Sequence, residues 1–251
     1  MSYYNINLLL TIILAPSLVL IPIVFSKSQD SEIACFCSDT SGSYYPHSNY
    51  EQSLTYLVDN LCANAPINNG FHKANWSEGD TDTNRAYGLA NCRGDVSNED
   101  CKACLVNATI SVNNNTCPYR KGAIIWRDYC QLKYSDVDFL GIYDEAVDYK
   151  YSRENERSTY ILPVSNLLSN LMNNIDENTL FGHRSTTVEI GYHYDNIYLY
   201  GMVQCTRDLS RGNCTRCLRD AIKEISTDRV GAILLYGSCN VRYETYKFIN
   251  N

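Results

Sequence analysis

The sequence lacks an excess of basic residues, and this limits the partners that the protein can have. Its 21 lysine and arginine residues are outnumbered by 28 aspartate and glutamate residues, which gives a formal net charge of -7. Neither half of the chain is basic. A protein that binds nucleic acid or an anionic membrane needs a basic surface to neutralise phosphate charges. The composition therefore argues against both kinds of partner.

Long apolar runs are also missing, except for one at the N-terminus. Residues 8–25 carry no charge, and Pro16 and Pro22 interrupt them. A membrane-spanning helix needs about 20 apolar residues, whereas a secretory signal has a shorter run that ends in small or neutral residues. We therefore predict a signal peptide over residues 1–26, cleaved near Ser26, and a secreted mature chain without a membrane span. Because the run is preceded by no Lys or Arg, an uncleaved anchor is the alternative.

The signatures of common catalytic sites are missing as well. The sequence has no nucleophile motif, no phosphate-binding loop and no histidines or carboxylates at a metal-ligand spacing. Its Cys-x2-Cys pairs could hold zinc or act as redox centres, but in a secreted chain the same pairs favour structural disulfides. We therefore expect no enzyme activity, no catalytic residue, no metal and no cofactor.

What the sequence does contain is twelve cysteines in a repeated pattern. Cys-x8-Cys-x2-Cys occurs twice, and Tyr-Gly precedes the first cysteine of each triplet by the same spacing. A second shared block begins with Gly-Ala-Ile and ends in a cysteine, at residues 122–130 and again at 231–239. Because order and spacing both recur, we predict a duplicated domain. The predicted units are domain 1 over residues 27–140, a polar linker over 141–158 and domain 2 over 159–251.

Local patterns predict helices and strands in each copy. A capping box begins at Ser48, and apolar residues follow it at helical spacing from Leu54 to Leu61. In the second copy Pro163 suits a first helical position, and an apolar stripe follows it. Residues 123–134 and 232–243 are aromatic and β-branched, which is typical of strands. Each domain is therefore predicted to be α+β, with two helices packed on a small antiparallel sheet.

Four sequons support secretion, because N-glycans are added in the secretory pathway. We predict glycosylation at Asn75, Asn107, Asn114 and Asn213.

These motifs resemble those of the plant cysteine-rich repeat secretory proteins, whose module is the ginkbilobin-homologous domain, also called domain of unknown function 26. The resemblance lies in the phrase from Tyr87 to Ser97, in the block from Gly122 to Cys130 and in their second copies. It implies an antiparallel sheet of about five strands beneath two helices in each disulfide-bonded domain. It also implies an extracellular location, in the plant apoplast.

The resemblance implies a disulfide pattern. The implied pairs are Cys37–Cys117, Cys92–Cys101 and Cys104–Cys130 in the first copy, with Cys205–Cys214 and Cys217–Cys239 in the second. Cys35 and Cys62 are left over, and a bond between them would leave no free thiol.

Ginkbilobin itself is an antifungal, mannose-binding protein, and the resemblance indicates where its sugar site would lie. That site uses an Asn directly after an N-terminal cysteine, an Arg six residues before the cysteine of the strand and a Glu five residues after that cysteine. The first copy has Ser38, Ile124 and Ser135 at these places, and the second has Ile233 for the Arg and keeps only Glu244. We therefore expect a secreted binding protein of plant defence or extracellular signalling, with a protein or cell-wall glycan as ligand. A mannose-binding antifungal lectin and a secreted enzyme are the alternatives.

Overall fold

The chain forms two domains of the same topology, each with a five-stranded antiparallel sheet covered on one face by two α-helices. This arrangement confirms the predicted α+β class. The structure is a computed structural model that describes residues 30–80, 82–113, 116–144, 148–152, 161–190 and 195–250. The predicted signal peptide lies outside the described residues.

The first domain has strand order β1-β4-β5-β3-β2. Its strands are β1 (Glu32–Cys37), β2 (Phe71–Ser77), β3 (Arg85–Cys92), β4 (Ala123–Arg127) and β5 (Cys130–Ser135), and its helices are α1 (Asn49–Asn64) and α2 (Asn98–Asn113). The second domain repeats this order as β6-β9-β10-β8-β7. Its strands are β6 (Asp148–Ser152), β7 (Phe181–Ile190), β8 (Asp195–Cys205), β9 (Gly231–Tyr236) and β10 (Cys239–Glu244), and its helices are α3 (Ile161–Asn173) and α4 (Arg211–Glu224).

Serine caps begin three of the four α-helices. The hydroxyl of Ser48 accepts a hydrogen bond from the backbone N–H of Glu51 at the start of α1, as the capping box predicts. Ser97 and Ser210 play the same part at the starts of α2 and α4. The helix α3 begins at Ile161, two residues before the first helical position predicted from Pro163. Pro163 still lies in the first turn, which does not need the N–H that proline lacks.

The predicted linker over residues 141–158 must be corrected at its centre. Residues 148–152 form β6, which pairs with β9 and lies at the edge of the second sheet. An edge strand hydrogen-bonds on one side only and carries exposed side chains, here Tyr149 and Tyr151. The polar composition of β6 is therefore the same as that of a linker, which is why the sequence predicted one here.

Candidate functional site

The positions of the family's sugar site lie on the sheet face that points away from the helices. Cys35 and Cys37 of β1 pack against the helical core, and side chains alternate between faces along a strand. Ser38 therefore points to the opposite face, which is also the face of Ile124 on β4. We call this face of each sheet its outer face.

The two outer faces pack against each other. Ile124 and Trp126 of the first domain form an apolar cluster with Ile233 and Leu235 of the second. Ile124 is 3% exposed and Ile233 is 7% exposed. Both positions at which the family's site would place an arginine are therefore buried between the domains.

Hydrogen bonds across this interface follow the internal repeat. The amide of Gln204 donates to the carbonyl oxygen of Cys92 at 2.8 Å, and the equivalent residue of the first copy, Asn91, reaches the carbonyl oxygen of Cys205 at 3.5 Å. Equivalent residues thus contact each other's strands in both directions. This reciprocity is the mark of a two-fold relation between the copies.

Glu244, the one charged residue that the family's sugar site would retain, is buried beside Arg242 of its own strand. It is 7% exposed and accepts a hydrogen bond from Arg242 at 3.2 Å. Arg242 also forms an ion pair with Asp128 of the first domain at 3.0 Å. The carboxylate therefore helps to hold an interdomain arginine and does not face an open sugar site.

Ser38 and Ser135, the two remaining positions of the first copy, have local partners. The hydroxyl of Ser38 lies 3.0 Å from that of Ser41, and the hydroxyl of Ser135 accepts from the backbone N–H of Val137 at 3.1 Å. Neither offers the charge that a lectin site of this type uses to bind sugar hydroxyls.

Sequence reasoning missed this interface, although the sequence held a signal of it. A sheet with helices on one face and water on the other should alternate apolar and polar residues. The Gly-Ala-Ile blocks do not alternate, because both Ile124 and its neighbour Ile125 are apolar and buried. The same holds for Ile233 and Leu234 in the second copy. Two apolar faces on one strand indicate that both are covered.

Disulfide bonds tie the helices to the sheets in both domains. The structure contains five of them, and they are the five pairs that the resemblance implies: Cys37–Cys117, Cys92–Cys101, Cys104–Cys130, Cys205–Cys214 and Cys217–Cys239. In the first domain one bond joins α2 to β3 and another joins α2 to β5. In the second domain the equivalent bonds join α4 to β8 and to β10.

The expected sixth bond, between Cys35 and Cys62, is absent, and both residues are free cysteines. The Sγ atom of Cys35 lies 3.3 Å from that of Cys117, whereas the thiol of Cys62 on α1 points at the carbonyl oxygen of Leu105 on α2. The two thiols thus have different neighbours. Among the described residues, Cys35, Cys37 and Cys117 are also the only group of three metal-ligating side chains close together, and two of them form a disulfide.

We expect the Cys37→Ser variant to form a Cys35–Cys117 bond in place of the native one. Cys35 and Cys37 are two residues apart on one strand, so both face Cys117, and the two loops that they would close differ by two residues, which changes the loop entropy negligibly. Burial, with a smaller contribution from Glu32, raises the pKa of the Cys35 thiol to about 11, so the bond should form faster at higher pH. Peptide mapping after alkylation checks this, and free thiols at both Cys35 and Cys117 would contradict it.

The described sequons differ in their surroundings. The side chain of Asn75 is exposed on the edge strand β2, and its Oδ1 accepts from Arg85 at 3.0 Å, which leaves Nδ2 outward. The Nδ2 atoms of Asn107 and Asn213 instead donate to Asp30 and to the carbonyl oxygen of Gly141. Asn114 lies outside the described residues.

We expect Asn75 to carry a glycan at high occupancy, and Asn107 and Asn213 to carry little or none. A glycan on either of these two would displace a hydrogen-bonded amide from the folded domain. Intact-mass analysis of protein secreted from plant cells should lose one glycan in Asn75→Gln and almost none in Asn213→Gln. Equal losses in the two variants would contradict the prediction.

No α-helix in the described part of the chain is both long and apolar enough to cross a membrane.

Comparisons with known proteins agree with this architecture. The family described as salt stress response/antifungal matches twice, over residues 36–137 and 147–246. An antimicrobial ginkbilobin-2-like protein of Castanea crenata is 39% identical, with 86% of this chain and 87% of that protein covered. Cysteine-rich repeat secretory protein 38 of Arabidopsis thaliana is 37% identical, with 90% of this chain and 89% of that protein covered.

Receptor-like kinases and solved structures also match. Cysteine-rich receptor-like protein kinase 4 of Arabidopsis thaliana is 34% identical over 85% of this chain, which covers 32% of the kinase. The crystal structure of the tandem DUF26 ectodomain of a cysteine-rich receptor-like protein from the same plant superposes with a TM-score of 0.66. It is 24% identical and covers 85% of this chain and 97% of its own, so it supports the fold alone.

The family match over both domains, the relatives' names and the disulfide-bonded fold lead to one identification. The chain is a secreted, extracellular member of the salt stress response/antifungal family, a cysteine-rich repeat protein with two DUF26 domains.

Proposed function

We propose that this protein is an extracellular binding protein of plant defence or extracellular signalling. It recognises a protein or a cell-wall glycan through a surface other than the family's mannose site. The observation that carries the proposal is the burial of Ile124 and Ile233 between the two sheets. Because the outer faces cover each other, recognition must use the helical faces, the sheet edges or the loops.

The described residues favour binding over catalysis. The buried charges have structural partners, since Arg93 forms an ion pair with Asp95 and Arg242 forms one with Asp128. Arg93 also donates to the carbonyl oxygen of Phe248, so both arginines help to hold the two domains together. The surface, by contrast, exposes several large aromatic side chains, among them Tyr56 and Trp76, which are common in recognition surfaces.

A retention assay tests the proposal. Labelled protein secreted from plant cells is incubated with plant cell walls, with fungal cell walls and with immobilised proteins of extracellular fluid. We expect saturable retention on at least one of these, displaced by excess unlabelled protein and lost after the disulfides are reduced and alkylated. Retention on none of them, or release of soluble products from the cell walls by the protein, would overturn the proposal.

A mannose-binding antifungal lectin is the second candidate. It is favoured by the name of the Castanea crenata relative, an antimicrobial ginkbilobin-2-like protein. The buried Glu244 and the two isoleucines argue against the sugar site but not against antifungal action by another route. Growth inhibition of a fungus that mannose does not relieve would separate the two properties.

A further inference from the structure

A polar groove lies between helix α3 and the edge strand β7 of the second domain. Its volume is about 600 Å³. Asn166 and Asn170 line it from the helix, and Arg184, Thr186 and Thr187 line it from the strand. Its floor is Leu167, which also belongs to the core of the domain.

The first domain provides an internal comparison for this groove. In each domain a glycine of the central strand packs beneath two leucines of the helix: Gly88 beneath Leu57 and Leu61, and Gly201 beneath Leu167 and Leu171. The helix position before the first leucine is Tyr56 in the first domain and Asn166 in the second. These two residues therefore occupy equivalent places.

The edge strands can be aligned in the same way. Gly88 pairs with Ala74 of β2, and Gly201 pairs with Arg184 of β7. Two residues further along, Trp76 of β2 corresponds to Thr186 of β7. An edge position that is alanine in the first domain is thus an arginine in the second.

The first domain fills the space that the second leaves open. The rings of Tyr56 and Trp76 stack with their centroids 5.1 Å apart and their planes 11° apart. Asn166 and Thr186, at the equivalent places, are too short to meet in this way and line an open groove. The second domain therefore has a row of amide, hydroxyl and guanidinium groups where the first has two stacked rings.

The groups in this row determine which ligand the groove suits. Two amides and the hydroxyl of Thr186 offer both donors and acceptors, as the hydroxyls of a sugar require. Arg184 adds a planar guanidinium, whose fork matches a carboxylate. It donates to Asn170 at 3.3 Å, which orients it along the groove. Among the residues that the structure describes, none that lines the groove carries a carboxylate.

We propose that the groove between α3 and β7 binds an oligosaccharide that carries carboxylates, such as an oligomer of uronic acid. The inference rests on the proposed extracellular binding function and assigns it a site and a ligand class. A neutral glycan would leave the guanidinium without its best partner. An acidic peptide would offer carboxylates but no hydroxyls for the two asparagines and Thr186.

Calorimetric titration with an oligogalacturonate, with a neutral xylo-oligosaccharide of equal length and with oligoglutamate tests the proposal. We expect the wild-type protein to bind the oligogalacturonate at least tenfold more tightly than either of the others. Arg184→Gln keeps the shape of the groove and removes its charge, so it should weaken binding by about tenfold, the effect of one charge-assisted hydrogen bond. The matched control is Lys73→Gln, which removes a cation from the edge strand β2 of the first domain and should change nothing.

A second variant tests the groove without relying on charge. Asn166→Tyr combined with Thr186→Trp introduces the pair of rings that the first domain already accommodates, so it should fold and abolish binding. Binding by this variant equal to that of the wild type would overturn the proposal. Equal affinity for the neutral sugar or for oligoglutamate would overturn the ligand class. If the wild-type protein is retained on cell walls or extracellular proteins but binds no oligogalacturonate, the inference fails while the proposed function stands.

Discussion

The Ile124→Arg variant should lose both stability and the fixed arrangement of its two domains, and it should gain no affinity for mannose. The substitution restores the residue type of the family's sugar site, but Ile124 is 3% exposed and packs against the second domain. A guanidinium there would be desolvated among the apolar side chains of Trp126, Ile233 and Leu235, which costs on the order of 3–5 kcal/mol. We expect the free energy of unfolding, measured by urea denaturation, to fall by about that amount.

Ile67→Arg is the matched control for this variant. It introduces the same side chain at an apolar position that is 73% exposed, so the unfolding free energy should change by less than about 0.5 kcal/mol. Small-angle scattering should show that Ile124→Arg is more extended than the control. If the two variants are equally stable and equally compact, the outer faces do not form the interface described above.

Removing the Cys217–Cys239 bond should produce the second large effect. Both cysteines are buried, and the bond joins α4 to β10 across the core of the second domain. That domain has two disulfides among its described residues, against three in the first. A loop of this length contributes about 3 kcal/mol, which corresponds to a fall in Tm of roughly 10–20 °C for a domain of this size. The double variant Cys217→Ala/Cys239→Ala should show this fall in differential scanning calorimetry.

Cys35→Ser is the control, because it removes a cysteine but no bond. Its Tm should stay close to that of the wild type. Partial reduction of the wild-type protein should likewise unfold the second domain before the first. A double variant that melts with the wild type would show that packing alone holds α4 on its sheet.

The sequence predicted the fold because the helix caps, the spacing of apolar residues and the internal repeat all indicate the same order of helices and strands. The capping box at Ser48 predicted the start of α1 correctly, and the paired strands of the Gly-Ala-Ile blocks follow from their β-branched composition. The strand β6 was missed because an exposed edge strand has no apolar face that would distinguish it from a polar linker. The two free thiols could not be foreseen, because pairing depends on which cysteines the fold brings within reach.

The functional surface was harder to predict than the fold. The residues that replace the sugar site are visible in the sequence, but the reason they are apolar lies in the contact between the copies, where Ile124 meets Ile233. The α3–β7 groove depends on Asn166 and Thr186, which are distant in sequence and unremarkable alone. They stand out only when the fold aligns them with the stacked rings of Tyr56 and Trp76.

The central claim, that packing of the two domains closes the family's sugar site, is tested most directly by calorimetric titration of mannose into the intact, glycosylated protein. The account predicts no heat of binding up to millimolar mannose, in the wild type and in Glu244→Ala alike, because Ile124 and Ile233 are buried between the domains and Glu244 is buried beside Arg242. Micromolar affinity for mannose in the wild type that Glu244→Ala abolishes would contradict it.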